Sequence, residues 1–274
     1  MTNQYLLDAP LGKTSEYISE YTPSLLFPIP REGKREEISV FQPLPFKGVD
    51  IWNAFEISCL NSKGKPQVYV ATFIVPCESP CIFESKSLKL YLNSFNQSIF
   101  DTKESLQTTI ENDLSATAEA PVQVTLWPLE QGQWIMANRM DGTNIDHLDV
   151  EIHDYNVNPE LLVTSDEIVE ETLSSDLLKS NCLATGQPDW ASITIKYKGP
   201  QICHSSLLKY IISYRQHSEF HEQCVERIFM DLRHHCQTEE LSVYARYTRR
   251  GGIDLNPFRS TEAVYPTNHR HFRQ

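Results

Sequence analysis

Leu88-Lys89-Leu90-Tyr91-Leu92-Asn93-Ser94-Phe95-Asn96-Gln97 and Leu207-Leu208-Lys209-Tyr210-Ile211-Ile212-Ser213-Tyr214-Arg215-Gln216 carry one pattern twice. Leu88, Tyr91, Leu92, Ser94, Phe95 and Gln97 meet Leu207, Tyr210, Ile211, Ser213, Tyr214 and Gln216 at a constant offset. After a single-residue gap, Ile110 and Leu114 meet Ile228 and Leu232. Generic helix patterning produces part of such a match, but a repeat of this reach points to a duplicated structural unit.

Working outward, each copy carries the same succession of elements. In the first, residues 67–75 are a β-branched run, Leu106, Ile110 and Leu114 share a helix face at spacing four, and Val122, Val124 and Leu126 alternate with polar residues. Alternation is the period of a half-buried strand, and spacing four that of an amphipathic helix. Asp101, three residues before Glu104, reads as a capping-box opening of that helix.

In the second copy, Ala191, Ile193, Ile195 and Tyr197 alternate with Ser192, Thr194 and Lys196. A helix opening near Ser218 then aligns Phe220, Cys224, Ile228 and Leu232, and Val243, Ala245 and Tyr247 alternate again. The expected fold class is α+β, a tandem of two units covering residues 1–145 and 146–274. The break falls in the acidic, turn-rich stretch 141–158. Leu173, Leu177 and Leu178 read as a helix ahead of Cys182. Residues 1–50, with Pro23, Pro28, Pro30, Pro43, Pro45 and the charged run 31–37, read as an extended, poorly helical lead-in.

The chain has 274 residues, 40% of them apolar, enough for a substantial core. No apolar run approaches the roughly 20 residues needed to cross a bilayer, and Met1 to Asp8 lack the basic start of a secretion signal. A soluble, unexported cytoplasmic protein is expected, and its seven cysteines fit a reducing compartment better than a disulfide framework. A net charge of -12 argues against direct contact with nucleic acid, which calls for a basic face.

Candidate chemistry is sparse by spacing alone. Cys182 precedes the turn Gly186-Gln187-Pro188-Asp189 and a strand, where a thiolate can face a pocket or a thiol can fill an apolar gap. Asp189 can face Cys182 across that loop or serve as an ordinary turn residue. His221 and Glu222 open a helix, where a carboxylate is electrostatically favoured whether it is functional or merely solvated. Glu84-Ser85-Lys86-Ser87-Leu88-Lys89 has the composition to hold phosphates, and Arg249-Arg250-Gly251-Gly252 either approaches an anion closely or forms an exposed turn. Cys77, Cys81, His234, His235 and Cys236 show no paired zinc-ligand spacing, so no metal is expected. No GxGxxG or GxxxxGK[ST] occurs, and a nucleotide must bind in another way.

These segments together resemble a known family. Glu84 to Tyr91 is similar to the signature of QueF nitrile reductases, and Lys179-Ser180-Asn181-Cys182 with Gln187-Pro188-Asp189-Trp190 resembles the nucleophile segment of their longer, two-domain class. The likeness extends through Leu11-Gly12-Lys13, residues 23–31, Phe220 to Cys224 and residues 244–257. It implies two tunnelling-fold units, antiparallel sheets backed by helices, in a homodimer.

The resemblance further implies reduction of 7-cyano-7-deazaguanine to the 7-aminomethyl base with two NADPH, in queuosine biosynthesis. Cys182 would form a thioimide, Asp189 act as general acid and His221 assist proton transfer. Phe83, Glu84, Ser85, His221 and Glu222 would bind the base, and Ser85, Lys86, Arg250 and Gly251 the NADPH. Cys77 and Cys81 receive no role. Two other readings compete: a zinc-dependent cyclohydrolase of the tunnelling fold, which needs a metal set not found here, and a non-catalytic purine or pterin binder using Glu222 and Glu84.

Overall fold

The computed structural model describes residues 17–129, 139–153 and 155–274, so the readings of Met1 to Asp8 and of Leu11 to Lys13 lie outside the described residues. The chain forms two compact units. One holds the described residues within 1–36, 51–135 and 249–254, the other those within 37–50, 136–248 and 255–274. The fold is α+β, with mostly antiparallel strands and few helices.

In the first unit, β1 (Pro28–Pro30) pairs antiparallel with β4 (Cys81–Phe83). A second ladder has the order β5 (Gln123–Pro128), β3 (Pro66–Pro76), β2 (Lys47–Leu60), with the first residues of β2 belonging to the other unit. Helix α2 (Ser85–Asn93) leads through a 3-10 turn into α3 (Lys103–Ala118). Leu106, Ile110 and Leu114 of α3 are fully buried, as their spacing requires. Each such side chain contributes roughly 1.5–3 kcal/mol by leaving water. The polar flank of α3 covers the backbone of β5: Gln107 Oε1 accepts from Leu126 N at 3.2 Å and Glu111 Oε2 from Val124 N at 3.4 Å.

Two expectations change here. Thr102, not Asp101, caps α3: its backbone is extended and its hydroxyl accepts from Ser105 N at 3.0 Å. The charged run is not extended, for Glu32–Glu36 form a short helix, α1. Arg31, Lys34 and Arg35 are buried there, with Arg31 on the Ser79 hydroxyl and Arg35 on the Cys77 carbonyl.

In the second unit the strand order is β10 (Ile253–Ser260), β9 (Glu240–Tyr247), β8 (Pro188–Ile202), β7 (Thr164–Asn181), β6 (Thr143–Asn144), with the first two residues of β10 belonging to the other unit. Neighbours from β10 to β7 are antiparallel, and β6 is parallel to β7. Helices α4 (His204–Ser213) and α5 (His221–Cys236) repeat the α2–α3 pair. Ala191, Ile193, Ile195 and Tyr197 lie in the core.

The expected helix at Leu173–Leu178 is instead part of β7. Leu173 faces Ile195 and Leu178 faces Ala191, with a register shift between Ser175 and Leu178. That bulge breaks the alternation and gives the leucines a helix-like spacing in sequence.

The two helix pairs carry matching internal bonds. Tyr91 donates to Asp113 at 2.7 Å and Tyr210 to Asp231 at 2.6 Å, while Glu119 and Gln237 end α3 and α5 in the left-handed conformation. Among the described residues no helix is long and apolar enough to cross a membrane.

Candidate active site

Strands β7 and β8 pair up to Asn181 and Pro188, and the loop beyond is closed by Cys182 N on Gln187 O at 2.8 Å and Gly186 N on Cys182 O at 2.9 Å. Gly186 takes φ +67°, a conformation that glycine adopts without penalty. Ser180 stands opposite Asp189 in the ladder. The two-residue period of a strand returns Cys182 to the same side. Both Cys182 and Asp189 are buried.

The first turn of α5 brings His221 to this place, its Nε2 3.1 Å from Asp189 Oδ2. Its ring stacks on Tyr247 of β9, with centroids 4.0 Å apart. A carboxyl group and an imidazole in contact, with a buried cysteine at the start of the adjoining loop, have the groups that nucleophilic addition coupled to proton transfer needs. Burial pushes the neighbouring Cys224 thiol and Tyr247 hydroxyl far above their ordinary values, which leaves both protonated. Glu222, next to His221, is buried in the same helical turn.

A second group, not found from the sequence, holds the end of β7. Asn181 N donates to His217 O at 2.8 Å and Glu219 N to Asn181 O at 3.1 Å. The buried Glu219 carboxylate meets Arg227 Nη2 at 2.6 Å and His217 Nε2 at 3.0 Å. Burial alone would raise Glu219, but its bonds to His217 and Arg227 hold it below the usual carboxylate range. Nothing in the spacing of residues 217, 219 and 227 marks them.

The other predicted residues belong to the first unit. Phe83 ends β4 with its ring 6.0 Å from that of Trp52. Glu84 caps α2, Oε1 accepting from Lys86 N and Oε2 from Ser87 N, both at 2.7 Å, and Ser85 begins the helix. Burial pushes Glu84 above the ordinary carboxylate value, against the two N–H groups and the charges of Lys86 and Arg250. Each oxygen keeps a lone pair for another donor.

Arg250 and Ile253 bond each other across a turn with Gly251 at φ +59° and Gly252 at φ +79°. A Cβ on Gly251 would sit 2.9 Å from Lys89 Cδ and 3.0 Å from its Nζ, and one on Gly252 2.4 Å from the Glu56 carboxyl carbon. Phe55, Glu56, Lys89, Asn93 and both glycines line a cavity of about 320 Å³. Arg249 lies over the Phe55 ring at 4.9 Å. Cationic side chains around a turn whose two glycines both take positive φ fit the phosphates of a nucleotide such as NADPH. Among the described residues no three His, Cys, Asp or Glu side chains gather as a metal-binding group.

Comparison with known proteins agrees with the sequence resemblance. Residues 17–126 match the family described as nitrile reductase, 7-cyano-7-deazaguanine-reductase N-term, and residues 188–265 match QueF-like protein. The NADPH-dependent 7-cyano-7-deazaguanine reductase of Dechloromonas aromatica (strain RCB) is 56% identical over 269 residues, 97% of this chain and 95% of that protein. The protein of the same name from Burkholderia multivorans (strain ATCC 17616 / 249) is 54% identical over 269 residues, 97% of this chain and 98% of its own length. With such identity along nearly its whole length and family matches in both halves, the chain belongs to the two-domain QueF family of 7-cyano-7-deazaguanine reductases.

Proposed function

We propose that this protein reduces 7-cyano-7-deazaguanine to the 7-aminomethyl base with two NADPH, through a covalent thioimide on Cys182. The observation that carries the reading is the 3.1 Å contact of His221 with the buried Asp189, which stands at the base of the hairpin loop that begins at Cys182.

A nitrile carbon is a poor acceptor until it is polarised, and covalent catalysis divides the difficulty. The Cys182 thiolate forms an S–C bond as one C–N π bond breaks. The released electron pair goes to nitrogen, which takes a proton from Asp189, and His221 serves that transfer. NADPH, when bound, supplies the hydride equivalents, two of them because nitrile to amine is a four-electron reduction. Between the two reductions Cys182 leaves as thiolate. Ser85, Lys86, Arg250 and Gly251 are the residues that would hold the cofactor, and the cationic side chains suit a 2′-phosphate.

Glu222 and Glu84 suit the donor pair of a guanine-like edge, a ring N–H beside an exocyclic amine. Phe83, Ser85 and His221 complete the proposed binding set. The repeated hairpin, helix pair and strand support reading residues 1–145 and 146–274 as tandem tunnelling-fold units in a homodimer. Seven free thiols suit a cytoplasmic enzyme of queuosine biosynthesis that handles the free base before it meets RNA.

Intact mass of the protein mixed with 7-cyano-7-deazaguanine, without NADPH, tests the reading. The parent gains the mass of one base and Cys182→Ala gains nothing. A gain in both would put the adduct on another residue, and a gain in neither would remove the thioimide.

A further inference from the structure

The second unit holds a cavity whose lining includes none of Cys182, Asp189 or His221. It lies on the face of β8 and β9 that carries Thr194, Lys196, Ser242, Tyr244 and Arg246, and residues 264–271 close over it. Its volume is about 340 Å³. That is within the range of small-molecule sites.

The notable side chain is Arg246, only 4% exposed. Nε donates to Gln274 Oε1 at 2.7 Å, Nη1 to Tyr244 Oη at 2.7 Å and Nη2 to Asn268 Oδ1 at 3.3 Å. All three acceptors are neutral. A charge taken out of water without an opposite charge is costly, and buried arginines are ordinarily paired with an acid. Two of the five guanidinium N–H donors remain, one on each terminal nitrogen, the fork that a carboxylate or phosphate engages with two oxygens.

The surroundings are neutral beside Arg246 and cationic farther out. His271, 2% exposed, lines the cavity with Nε2 outside hydrogen-bonding geometry and 3.6 Å from Asp176. Burial keeps its pKa below the ordinary value, and Arg273 and Arg246 push the same way against Asp176. Arg139, His269 and the exposed Lys196, which is 3.7 Å from Glu170, line it as well, and Asp141 is the acid in the lining among the described residues. Tyr244 and Phe258, with ring centroids 5.8 Å apart, supply an aromatic wall. In a chain of net charge -12, a recess with a buried arginine, further basic side chains and an aromatic wall has the chemistry to receive an anion.

We propose that this cavity is a second ligand site, binding a small organic anion whose carboxylate or phosphate meets Arg246 and whose flat body lies against Tyr244 and Phe258. The inference stands apart from the reductase reading.

Calorimetric titration of the full chain with phenyl phosphate and with benzoate, at saturating NADPH, tests it. NADPH fills the proposed cofactor site, and the two probes separate phosphate from carboxylate recognition. At least one anion binds one site per chain while phenol does not. Arg246→Gln weakens it about tenfold or more, the size of one lost charge-assisted hydrogen bond. Because Arg246 is buried, Lys196→Glu at the exposed rim gives a second reading, with affinity down about threefold or more at unchanged melting temperature. Absence of binding by both anions, equal binding of phenol, or equal affinity in parent and Lys196→Glu would each overturn the proposal.

Discussion

The two halves hold corresponding strand ends with the same backbone bonds and put different side chains on them. Leu60 N donates to Ser98 O at 2.9 Å and Phe100 N to Leu60 O at 2.8 Å; Asn181 N donates to His217 O at 2.8 Å and Glu219 N to Asn181 O at 3.1 Å. The next residue starts a turn in both. Asn61 N bonds Lys65 O and Gly64 N bonds Asn61 O, as Cys182 N bonds Gln187 O and Gly186 N bonds Cys182 O. In the first half the Asn61 side chain also tightens its turn, accepting from Lys63 N and Lys65 N. In the loop at Cys182 the side-chain bond comes instead from Thr185, whose hydroxyl accepts from Gln187 N at 3.4 Å, leaving a thiol where the other half spends a structural amide. Likewise Phe100 stands where the second half buries Glu219. At the start of the shorter helix, Glu84 caps α2 with its side chain, whereas Cys203 makes no such cap on α4. Backbone hydrogen bonds are indifferent to side-chain identity, so one scaffold can carry two chemistries.

The largest effect expected from this asymmetry is on turnover. Cys182→Ala lowers nitrile-dependent NADPH oxidation by about three orders of magnitude or more. Adding Asn61→Cys to that variant restores nothing. Recovery of activity would show that the halves are chemically interchangeable and break the comparison.

Next is stability at the Glu219 position. Glu219→Gln leaves the Arg227 charge without its buried partner and costs about 3 kcal/mol in urea unfolding. Because Glu219 is held below its ordinary value of 4.5, its contribution is full above that pH and fades as pH falls through the lower folded value. The variant should lose that part of the acid limb. An unchanged urea midpoint with an unchanged acid limb would show that the ion pair does not secure the strand end.

A smaller difference separates the two caps. Glu84→Ala removes acceptors for two helix N–H groups and costs about 1 kcal/mol of stability, while Cys203→Ala is near neutral. The proposed base contact adds a rise in KM of about tenfold for the Glu84 variant. Burial raises Glu84 above 4.5, so its contribution to stability is full below that pH and is lost as pH rises through the folded value. Glu84→Gln removes this dependence, which pH-resolved thermal melts measure.

The mildest test is thiol labelling. The Ser205 hydroxyl, 3.2 Å from its sulfur, lowers Cys203, which is exposed, whereas burial raises Cys59, Cys224 and Cys236. Iodoacetamide at neutral pH therefore labels Cys203 ahead of those three in peptide mass maps. The reverse order would mean that the cap region of α4 is closed to solvent.

Much of the framework was legible without coordinates. The alternation at Ala191 to Tyr197, the helix face of Leu106, Ile110 and Leu114, and the repeated stretch at Leu88 and Leu207 report burial within one element. Adjacent residues suffice to reveal that pattern. Local chemistry offers Glu84, Cys182, Asp189, His221 and Arg250 only alongside ordinary structural readings, and the family motifs in which they sit give them their roles. Where a bulge interrupts a strand, as between Ser175 and Leu178, or where Thr102 competes with Asp101 for one cap, local pattern misleads because a single residue of register decides the outcome.

By itself, then, the sequence determined the α+β class, most of its elements, their duplication and the family to which the chain belongs. Only the tertiary structure decided that His221 meets Asp189, that His217 and Arg227 enclose Glu219, that Arg31 and Arg35 are buried, and that Arg246 faces a cavity with neutral partners. Periodicity records which side of an element turns from water. Which polar groups meet there is set by strand register and by the packing of segments far apart in the chain.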